Sequence, residues 1–454
     1  MVKHPVSGSL AFSLYSDMLA PSTTLHFIFR SLRHRNYRLF FIGQSLSLIG
    51  TWMTQVATAW LIYRLTNSAW LLGFVGFSGQ IPAFFMAPFA GVWVDRWDRL
   101  RILKVTQTLS MLESFALAVV VFTGHASVLN IVLLTMFQGV VNAVDMPARQ
   151  TFLIEMIAER ADLGNAIALN SSMVNGARLI GPSIAGLVIA LAGEAPCFLI
   201  DGFSYVAVIA CLFMMTTAPS PKLPRKNVLS ELKDGLRYVS GFTPIRSILL
   251  LLMCVSLVGA PYSVLMPVFA SDVLHGGPNT LGILTGAAGL GALISAITLA
   301  MRRTIVGLGR IIAITAFTFG AGLMLFGLSH WIWLSLPLML ITGFSMMQQM
   351  SASNTIMQTI VDENKRGRVM SFYTMAFIGV TPFGSLLAGL SASRIGAPRT
   401  VMLGGALCMV VAFWFWRQLK ELRTVVRPIY VQLGILPEVA TGIQAASALQ
   451  TPPQ

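Results

Sequence analysis

Two ionisable residues near the middle of long apolar stretches, Arg178 and Glu113, are the first candidates for chemistry. Two further acids lie nearer the ends of such stretches, Asp201 toward the outer end and Asp145 toward the inner end. A charged side chain in the middle of a membrane helix costs about 2.5–3.5 kcal/mol on insertion scales, so it normally faces water or pairs with an opposite charge. Arg178 could therefore bind an anionic substrate, and Glu113 could exchange a proton during transport. Alternatively, the two form a buried structural pair, or Glu113 simply remains protonated.

Twelve apolar segments carry these residues. A hydrocarbon core about 30 Å thick needs roughly 20 mostly apolar residues for each helical crossing. The segments cover approximately 39–63, 68–94, 102–124, 128–148, 165–191, 196–216, 247–271, 279–301, 311–328, 331–350, 368–392 and 399–417. Only 11% of the residues are charged, against about 25% in a soluble domain. We therefore predict an all-α polytopic membrane protein with twelve transmembrane helices in two six-helix halves.

The net charge of +14 is explained by topology. In a twelve-helix arrangement, the basic residues concentrate in the tails and loops of one side, and only Arg64, Arg394 and Arg399 fall on the other. Short basic loops stay on the cytoplasmic side of a membrane. We therefore expect both termini in the cytoplasm and no nucleic-acid partner.

The same topology predicts the domain organisation. Polar residues 217–246 separate the two halves and include a short amphipathic helix. That helix could lie at the membrane interface and tether the halves, or it could be a solvated linker. Its apolar face is predicted to contain Leu229, Leu232, Leu236 and Val239. The predicted parts are an N-terminal tail (1–37), a first bundle (38–216), the linker (217–246), a second bundle (247–418) and an unstructured C-terminal tail (419–454).

The clearest local motif follows the second segment. It reads Gly91-Val92-Trp93-Val94-Asp95-Arg96-Trp97-Asp98-Arg99-Leu100-Arg101. An acid such as Asp95 at the membrane boundary needs a cationic or dipolar partner. The motif resembles the signature loop between helices two and three of the major facilitator superfamily, with Asp98 where that pattern usually has glycine and Leu100 where a base is common.

In that superfamily, the loop acid contacts the start of helix eleven and latches the two halves on the cytoplasmic side. Here that start carries Arg366-Gly367-Arg368. Arg149, at the end of the fourth segment, could join the latch or contact lipid headgroups. An ordinary basic loop with incidental acids is the alternative. The resemblance implies a cytoplasmic gate formed by Gly91, Asp95, Arg96, Arg99, Arg149, Arg366 and Arg368.

A second motif, Gly176-Ala177-Arg178-Leu179-Ile180-Gly181-Pro182-Ser183-Ile184-Ala185-Gly186, lies in the fifth segment. Pro182 cannot donate a backbone hydrogen bond, and its ring displaces a preceding carbonyl. The motif resembles the glycine–proline motif of facilitator exporters and antiporters. It implies that helices five and eight meet across the halves, with a hinge or leak barrier at Gly176, Gly181, Pro182 and Gly186. Ordinary helix packing is the alternative. The eighth segment offers a matching small-residue face: Gly282, Gly286, Gly289 and Gly291.

The run Arg366-Gly367-Arg368-Val369-Met370-Ser371, followed by Pro382 and Gly384, resembles the enterobactin-exporter-type and macrolide-efflux-type branch. This resemblance implies a secondary exporter that moves a siderophore, a macrolide or another drug-like molecule by alternating access. Because the chain has no glycine-rich loop ending in Gly-Lys-Ser or Gly-Lys-Thr, it has no built-in ATP motor, and we expect coupling to proton influx.

The remaining expectations follow from this assignment. We expect a monomer in the bacterial inner membrane whose partners are a small-molecule substrate, protons and the lipid bilayer. We expect no enzyme activity, no cofactor and no metal. Two alternatives stay open: an importer of the same fold, and a membrane sensor or assembly partner that transports nothing.

Overall fold

The computed structural model describes residues 29–157, 159–216, 228–302 and 304–435. After a short 3-10 turn at Arg30–Arg33, six long helices form the N-terminal half. They are α1 (Arg35–Thr66), α2 (Ala69–Arg96), α3 (Arg99–Phe122), α4 (Val128–Glu155), α5 (Arg160–Ala192) and α6 (Ala195–Phe213). A connector helix, α7 (Val228–Gly241), leads to the C-terminal half. That half contains α8 (Thr243–Val273), α9 (Pro278–Ala300), α10 (Leu308–Leu328), α11 (Ile332–Ile360), α12 (Glu363–Ile395) and α13 (Ala397–Gln432).

The helices confirm the predicted all-α membrane architecture, since each of the twelve predicted segments coincides with a long helix of the described residues. Ten of these helices are long and apolar enough to cross a membrane by length and composition. The other two, α1 and α11, are 32 and 29 residues long, but they carry more polar residues along their length. Polar residues in membrane helices normally face the bundle interior or a water-filled cavity.

Glycines let neighbouring helices approach closely, as is usual in membranes, where van der Waals packing drives association. A Cβ atom added at Gly50 on α1 would lie 2.9 Å from the Cα of Asp201 on α6. One added at Gly43 would lie 3.2 Å from the Cα of Val208 on the same helix. The backbones of α1 and α6 are therefore in contact, and this contact buries the polar residues between them.

Two helix pairs join the halves. On one side of the molecule, α5 packs against α9, and on the other, α2 packs against α12. In both pairs, glycine meets glycine: Gly186 faces Gly282, and Gly73 faces Gly389. The arrangement is the same at both interfaces, as expected for two similar halves.

The two ends of the molecule differ. We call the end that carries α7 the connector side and the opposite end the far side. The glycine contacts between the halves lie toward the far side, which is closed. Near the connector side, Asn142, Gln150 and Ser171 expose polar side chains on α4 and α5. A cavity of about 260 Å³ there is lined by Arg149, Gln150, Leu153, Ile154, Ile167 and Asn170. The N-terminal half therefore presents a cavity and polar side chains on the connector side.

Two helices of the C-terminal half are irregular. In α8, π-helical turns at Val255–Gly259 and Phe269–Val273 flank a 3-10 stretch at Ala260–Leu265. In α12, a π-helical turn at Met375–Gly379 precedes Pro382. Non-helical backbone inside a membrane is tolerated only where protein or a wet cavity can satisfy its polar groups. The irregular turns therefore point to the inner surfaces of the bundle.

The structure corrects two details at the connector side. The helix α13 continues to Gln432, so residues 419–432 are helical and the predicted unstructured tail is wrong over that stretch. The connector helix packs on the C-terminal half, where Gly235 and Val239 are buried. However, Leu236 is 58% exposed, so it does not belong to the packed face, while the side chains of Leu229 and Leu232 lie outside the described residues.

Candidate substrate gap and buried carboxyl groups

Arg178 lies at the boundary between the two halves. Its side chain is half-buried, and its guanidinium carbon lies 5.6 Å from the centre of the Trp52 ring on α1. Tyr262, on the 3-10 stretch of α8, is within electrostatic reach of it. Gln55, one turn from Trp52, is exposed. A cation against an aromatic face, approached by polar groups from both halves, can hold the anionic group of an organic molecule.

Arg178 and Glu113 do not form the buried pair that the sequence left open. In the described part of the chain, no ion pair joins them, and no carboxylate pairs with Arg178. Glu113 instead lies on α3 inside the N-terminal half, where its side chain is 4% exposed and within electrostatic reach of Asp201. The cation therefore faces the gap, while the acid faces the interior of its own bundle.

Asp201 is a functional candidate to which the sequence analysis gave no role. Its side chain is 2% exposed and lies between α1, α3 and α6. Its Oδ2 accepts hydrogen bonds from Thr54 Oγ1 at 2.8 Å and Ser114 Oγ at 3.0 Å. Its Oδ1 has no hydrogen-bond partner in the protein. Two carboxyl groups, those of Glu113 and Asp201, thus share one buried site.

Asp145 occupies a second buried polar site, nearer the connector side. Its Oδ1 accepts hydrogen bonds from Thr106 Oγ1 at 2.7 Å and Gln107 Nε2 at 2.8 Å, both on α3. Its Oδ2 forms an ion pair with Arg149, one turn along α4. Arg149 also lines the cavity on the connector side, so this pair stands between the cavity and the interior of the bundle.

The predicted gate is only partly visible. Gly91, Asp95 and Arg96 fall in the last turns of α2, but their side chains lie outside the described residues, so the Asp95 contact stays a prediction. Arg99 forms an ion pair with Glu155 at the end of α4. Arg366 is exposed, and Arg368 lies beside the connector helix, where a Cβ added at Gly235 would be 3.3 Å from the Arg368 Cβ.

The glycine–proline motif packs in two directions. A Cβ added at Gly186 would lie 2.7 Å from the Pro278 carbonyl oxygen and 3.0 Å from the Gly282 Cα, so α5 and α9 do meet across the halves. Gly181 faces α1 instead, where an added Cβ would lie 2.6 Å from the Cβ of Trp52. A Cβ at Gly176 would have nothing within 4 Å. Of the three glycines, only Gly186 therefore contacts α9, and the hinge or barrier role of the motif stays a prediction.

The small-residue face of α9 divides in the same way. Gly282, Gly286 and Gly289 face α5, and a Cβ at Gly289 would lie 2.7 Å from the carbonyl oxygen of Arg178. Gly291 instead faces Phe344 on α11. The α9 contact therefore reaches the backbone of Arg178 itself, which couples the position of this residue to the packing of the two halves.

A hydrogen bond between the halves closes the far side. The Tyr63 hydroxyl at the end of α1 donates to Asp272 Oδ2 at the end of α8. Tyr63 is 4% exposed. A hydrogen bond to a charged acceptor stabilises a structure by about 1.5–3 kcal/mol, so this contact favours the state seen here.

Replacing Tyr63 with phenylalanine is expected to let the far side open more often. Ser385 on α12 is buried against α2, where a Cβ added at Gly76 would lie 3.4 Å from the Ser385 Cβ. A cysteine at position 385 therefore reports on this opening. Loss of about 1.5 kcal/mol corresponds to roughly tenfold more of the open state, and we expect Ser385→Cys to react correspondingly faster with a membrane-impermeant thiol reagent applied from the far side. The background for this measurement has the four native cysteines replaced by alanine.

Tyr373→Phe is the matched control for this measurement. The Tyr373 hydroxyl donates to the Met350 carbonyl at 3.0 Å, entirely within the C-terminal half. The Tyr373→Phe substitution therefore removes one buried hydrogen bond without changing a contact between the two halves. Equal labelling rates in the two phenylalanine variants would show that the Tyr63–Asp272 bond does not hold the far side closed.

The sequence is similar to known membrane transport proteins over most of its length. A family model described as "Transmembrane secretion effector" matches residues 28–425. The staphyloferrin A transporter of Staphylococcus aureus is 26% identical over 396 residues, which covers 85% of this chain and 97% of that protein. The multidrug efflux pump Tap of Mycolicibacterium fortuitum is 27% identical over 393 residues, covering 84% and 95%.

The fold is also found among solved structures. A POT family transporter in complex with 5-aminolevulinic acid superimposes with a TM-score of 0.71 at 11% sequence identity. The superposition covers 86% of this chain and 96% of that one. At this identity, the likeness concerns the fold alone, and it agrees with two six-helix halves joined by a connector.

Proposed function

We propose that this chain is an exporter. The proposal starts from its family, because the chain belongs to the transmembrane secretion effector family of the major facilitator superfamily. The chain is therefore a multi-pass membrane transporter and not an enzyme. What it moves, in which direction and with what energy source are parts of the proposal. The proposed cargo is a small organic molecule, either a siderophore, a macrolide or another drug-like compound.

The observation that carries the proposal is the position of Arg178. Its guanidinium lies in the gap between the halves, beside Trp52 and within reach of Tyr262. In transporters of this general design, the substrate site lies near the bilayer midplane between the two halves. Arg178 would bind an acidic group of the cargo, and the neighbouring aromatic rings would pack against its apolar part.

Alternating access accounts for the two ends of the molecule. The proposed cytoplasmic side is the connector side, because it carries most of the basic residues. In the present state, the cargo enters from that side while the Tyr63–Asp272 bond and the glycine contacts close the far side. Rocking of the halves would then close the connector side, with the Asp95 loop and the start of α12 as the proposed latch.

The driving force is proposed to be proton influx through Glu113. A membrane potential of 100 mV contributes about 2.3 kcal/mol for each charge moved, which is useful for export against a moderate gradient. The N-terminal half supplies the buried acid, and the gap supplies the cation. Cargo and proton would therefore occupy separate sites.

Transport in membrane vesicles tests this proposal. Cells that lack the chain are first screened for accumulated siderophores and for new sensitivity to macrolides and other drugs, which identifies a cargo. Inverted membrane vesicles that contain the chain are then expected to accumulate that cargo when a proton gradient is imposed, and to release it when the gradient is collapsed. Accumulation only in right-side-out vesicles would indicate an importer. No flux of any screened compound would indicate a protein that does not transport.

A further inference from the structure

The acidic groups of the membrane interior are distributed unequally between the halves. Among the described residues, every buried carboxyl group belongs to the N-terminal half, at Glu113, Asp145, Asp162, Glu194 and Asp201. The buried polar residues described in the C-terminal half are neutral, and most are serines, such as Ser295, which donates a hydrogen bond to Gln348 at 2.7 Å. In the described part of the chain, buried carboxyl groups that could bind a proton are therefore found in the N-terminal half only.

Among the described residues, Glu113 and Asp201 have no cationic partner, unlike Asp145, which pairs with Arg149. Asp201 has two hydroxyl donors on Oδ2 and none on Oδ1. A buried carboxylate without compensating partners is strongly unfavourable, and two neighbouring ones are worse, because like charges repel in a low dielectric. One proton shared between the two carboxyl groups removes the repulsion and one of the two buried charges, and the protonated group becomes a hydrogen-bond donor that can stabilise the remaining carboxylate.

A polar route connects this pair with the connector side. Tyr205 lies one turn along α6 from Asp201, about 6 Å along the helix axis, and it is 5% exposed. Its hydroxyl lies 3.3 Å from Thr51 Oγ1. Tyr205 is also within electrostatic reach of Arg149, whose ion pair with Asp145 borders the cavity on the connector side. The hydroxyl and carboxyl groups on this route can accept and pass on a proton, and the Arg149 guanidinium can donate hydrogen bonds to water.

Several atoms along the route have hydrogen-bonding capacity that the protein does not use. They are Gln107 Oε1, Gln138 Oε1, Arg149 Nε and Asp201 Oδ1. Each is buried, and buried polar atoms without protein partners normally bind ordered water. Gln107 and Gln138 lie on α3 and α4, the helices between which Asp145 is held. The unused atoms thus mark where water would complete a chain of hydrogen bonds.

We propose that the driving proton is bound within the N-terminal bundle, where Glu113 and Asp201 share it. It leaves past Tyr205 to the Asp145–Arg149 pair and the connector-side cavity. It does not enter the substrate gap. This inference deepens the proposed function, because it takes proton coupling as given. The titratable and charged groups that face the shared site are Tyr205 on α6 and, farther along, Asp145 and Arg149 on α4. From α1, only the hydroxyls of Thr51 and Thr54 reach the site among the described contacts. Arg178 keeps its separate place against Trp52.

Infrared difference spectroscopy of the full chain in liposomes tests the binding site without any cargo. When the pH is raised, the carbonyl stretch of a protonated buried carboxylic acid should be lost from the wild-type spectrum. Glu113→Gln and Asp201→Asn should each shift or remove this band, and the double variant should lack it. Glu421→Gln, an exposed position on α13, is the matched control and should leave the band intact. An unchanged band in the double variant would overturn the inference.

A second variant covers the case in which the acid variants fail to fold. Thr54→Val keeps both carboxyl groups and the side-chain shape but removes one hydrogen bond to Asp201, so the stretching frequency of the band should change. An identical frequency in Thr54→Val would contradict the assignment to Asp201.

The route is tested by the rate at which the band shifts after transfer to heavy water. Tyr205→Phe removes the hydroxyl next to the shared site and should slow this exchange roughly tenfold, equivalent to a barrier higher by about 1.4 kcal/mol. Tyr430→Phe on α13 is the control. An exchange rate that Tyr205→Phe leaves unchanged would exclude this route.

These outcomes separate the inference from the function on which it depends. If the band behaves as expected but no cargo is moved in vesicles, the exporter proposal fails and the proton site stands. If proton-driven export is found while the band is unaffected by both acid variants, the coupling site lies elsewhere and export stands.

Discussion

Replacing Arg178 with alanine is expected to abolish export while leaving the amount of protein in the membrane unchanged. Removing one partner of a buried, hydrogen-bonded charge pair costs about 2–5 kcal/mol in other complexes, roughly a 30-fold or greater loss of affinity. The same change should leave folding intact, because in the described residues no carboxylate depends on Arg178 for its charge balance. Proton-driven cargo uptake by inverted vesicles, normalised to the quantity of transporter, is the measurement.

Two variants define what the Arg178 result means. Arg178→Lys keeps the positive charge but loses the planar fork that stacks on Trp52 and binds carboxylates in a bidentate manner, so we expect partial activity. Arg417→Ala removes an arginine of α13 that lies 5.0 Å from the Phe413 ring, and it should be neutral. Normal export by Arg178→Ala would remove this residue from the substrate site.

Adding a single methyl group at two glycines of α5 is expected to be harmful at Gly186 and harmless at Gly176. At Gly186, the new Cβ would lie 2.7 Å from the Pro278 carbonyl oxygen, and overpacking of this kind typically destabilises a protein by about 1–3 kcal/mol. At Gly176, the Cβ meets open space, and alanine is better than glycine in a helix by up to about 1 kcal/mol. Gly186→Ala should therefore lower the thermal unfolding temperature and impair export, whereas Gly176→Ala should do neither.

Thermal unfolding followed by circular dichroism, together with vesicle transport, measures both effects. The pair is informative because the two substitutions are chemically identical and lie on one helix. Equal destabilisation by the two alanines would contradict the close approach of α5 and α9 at Gly186. A stable Gly186→Ala variant without transport would instead assign the contact to movement of the halves.

Much of the fold could be predicted because the bilayer imposes it. A segment must be about twenty apolar residues long to cross, and this requirement located all twelve helices to within a few residues at most ends. The largest error is at the end of α13, which continues to Gln432. Hydropathy alone cannot detect that extension, because residues beyond the membrane are held by contacts of Leu419 and Leu422 with the rest of the half.

The site was predicted less completely, for a geometrical reason. The sequence shows that Arg178 and Glu113 lie in apolar segments, but it does not show which way each helix face points. Glu113 turned out to face Asp201 rather than Arg178. A usable signal was present: Gln107, Ser110 and Ser114 recur every three or four residues along α3 and mark one polar face, and Asp201 and Tyr205 have the same spacing on α6.

The contacts between helices depended on details that no periodicity reveals. Gly176, Gly181 and Gly186 look equivalent in the sequence, yet only Gly186 meets α9. The five-residue spacing between these glycines places them on different faces of the helix, since a turn takes 3.6 residues. Three-dimensional placement was needed to separate the contact between the halves from the contact of α5 with α1.

The central claim is that the gap opens alternately to the two sides of the membrane, and paired spin-label distances test it most directly. One pair of labels at Gly164 and Gln358 reports on the connector side, and another at His125 and His330 reports on the far side; all four positions are exposed. Between acidic and alkaline pH, and on addition of the cargo found by screening, the account predicts opposite changes, with one distance shortening as the other lengthens. Distances that both stay constant, or that lengthen together, would contradict it.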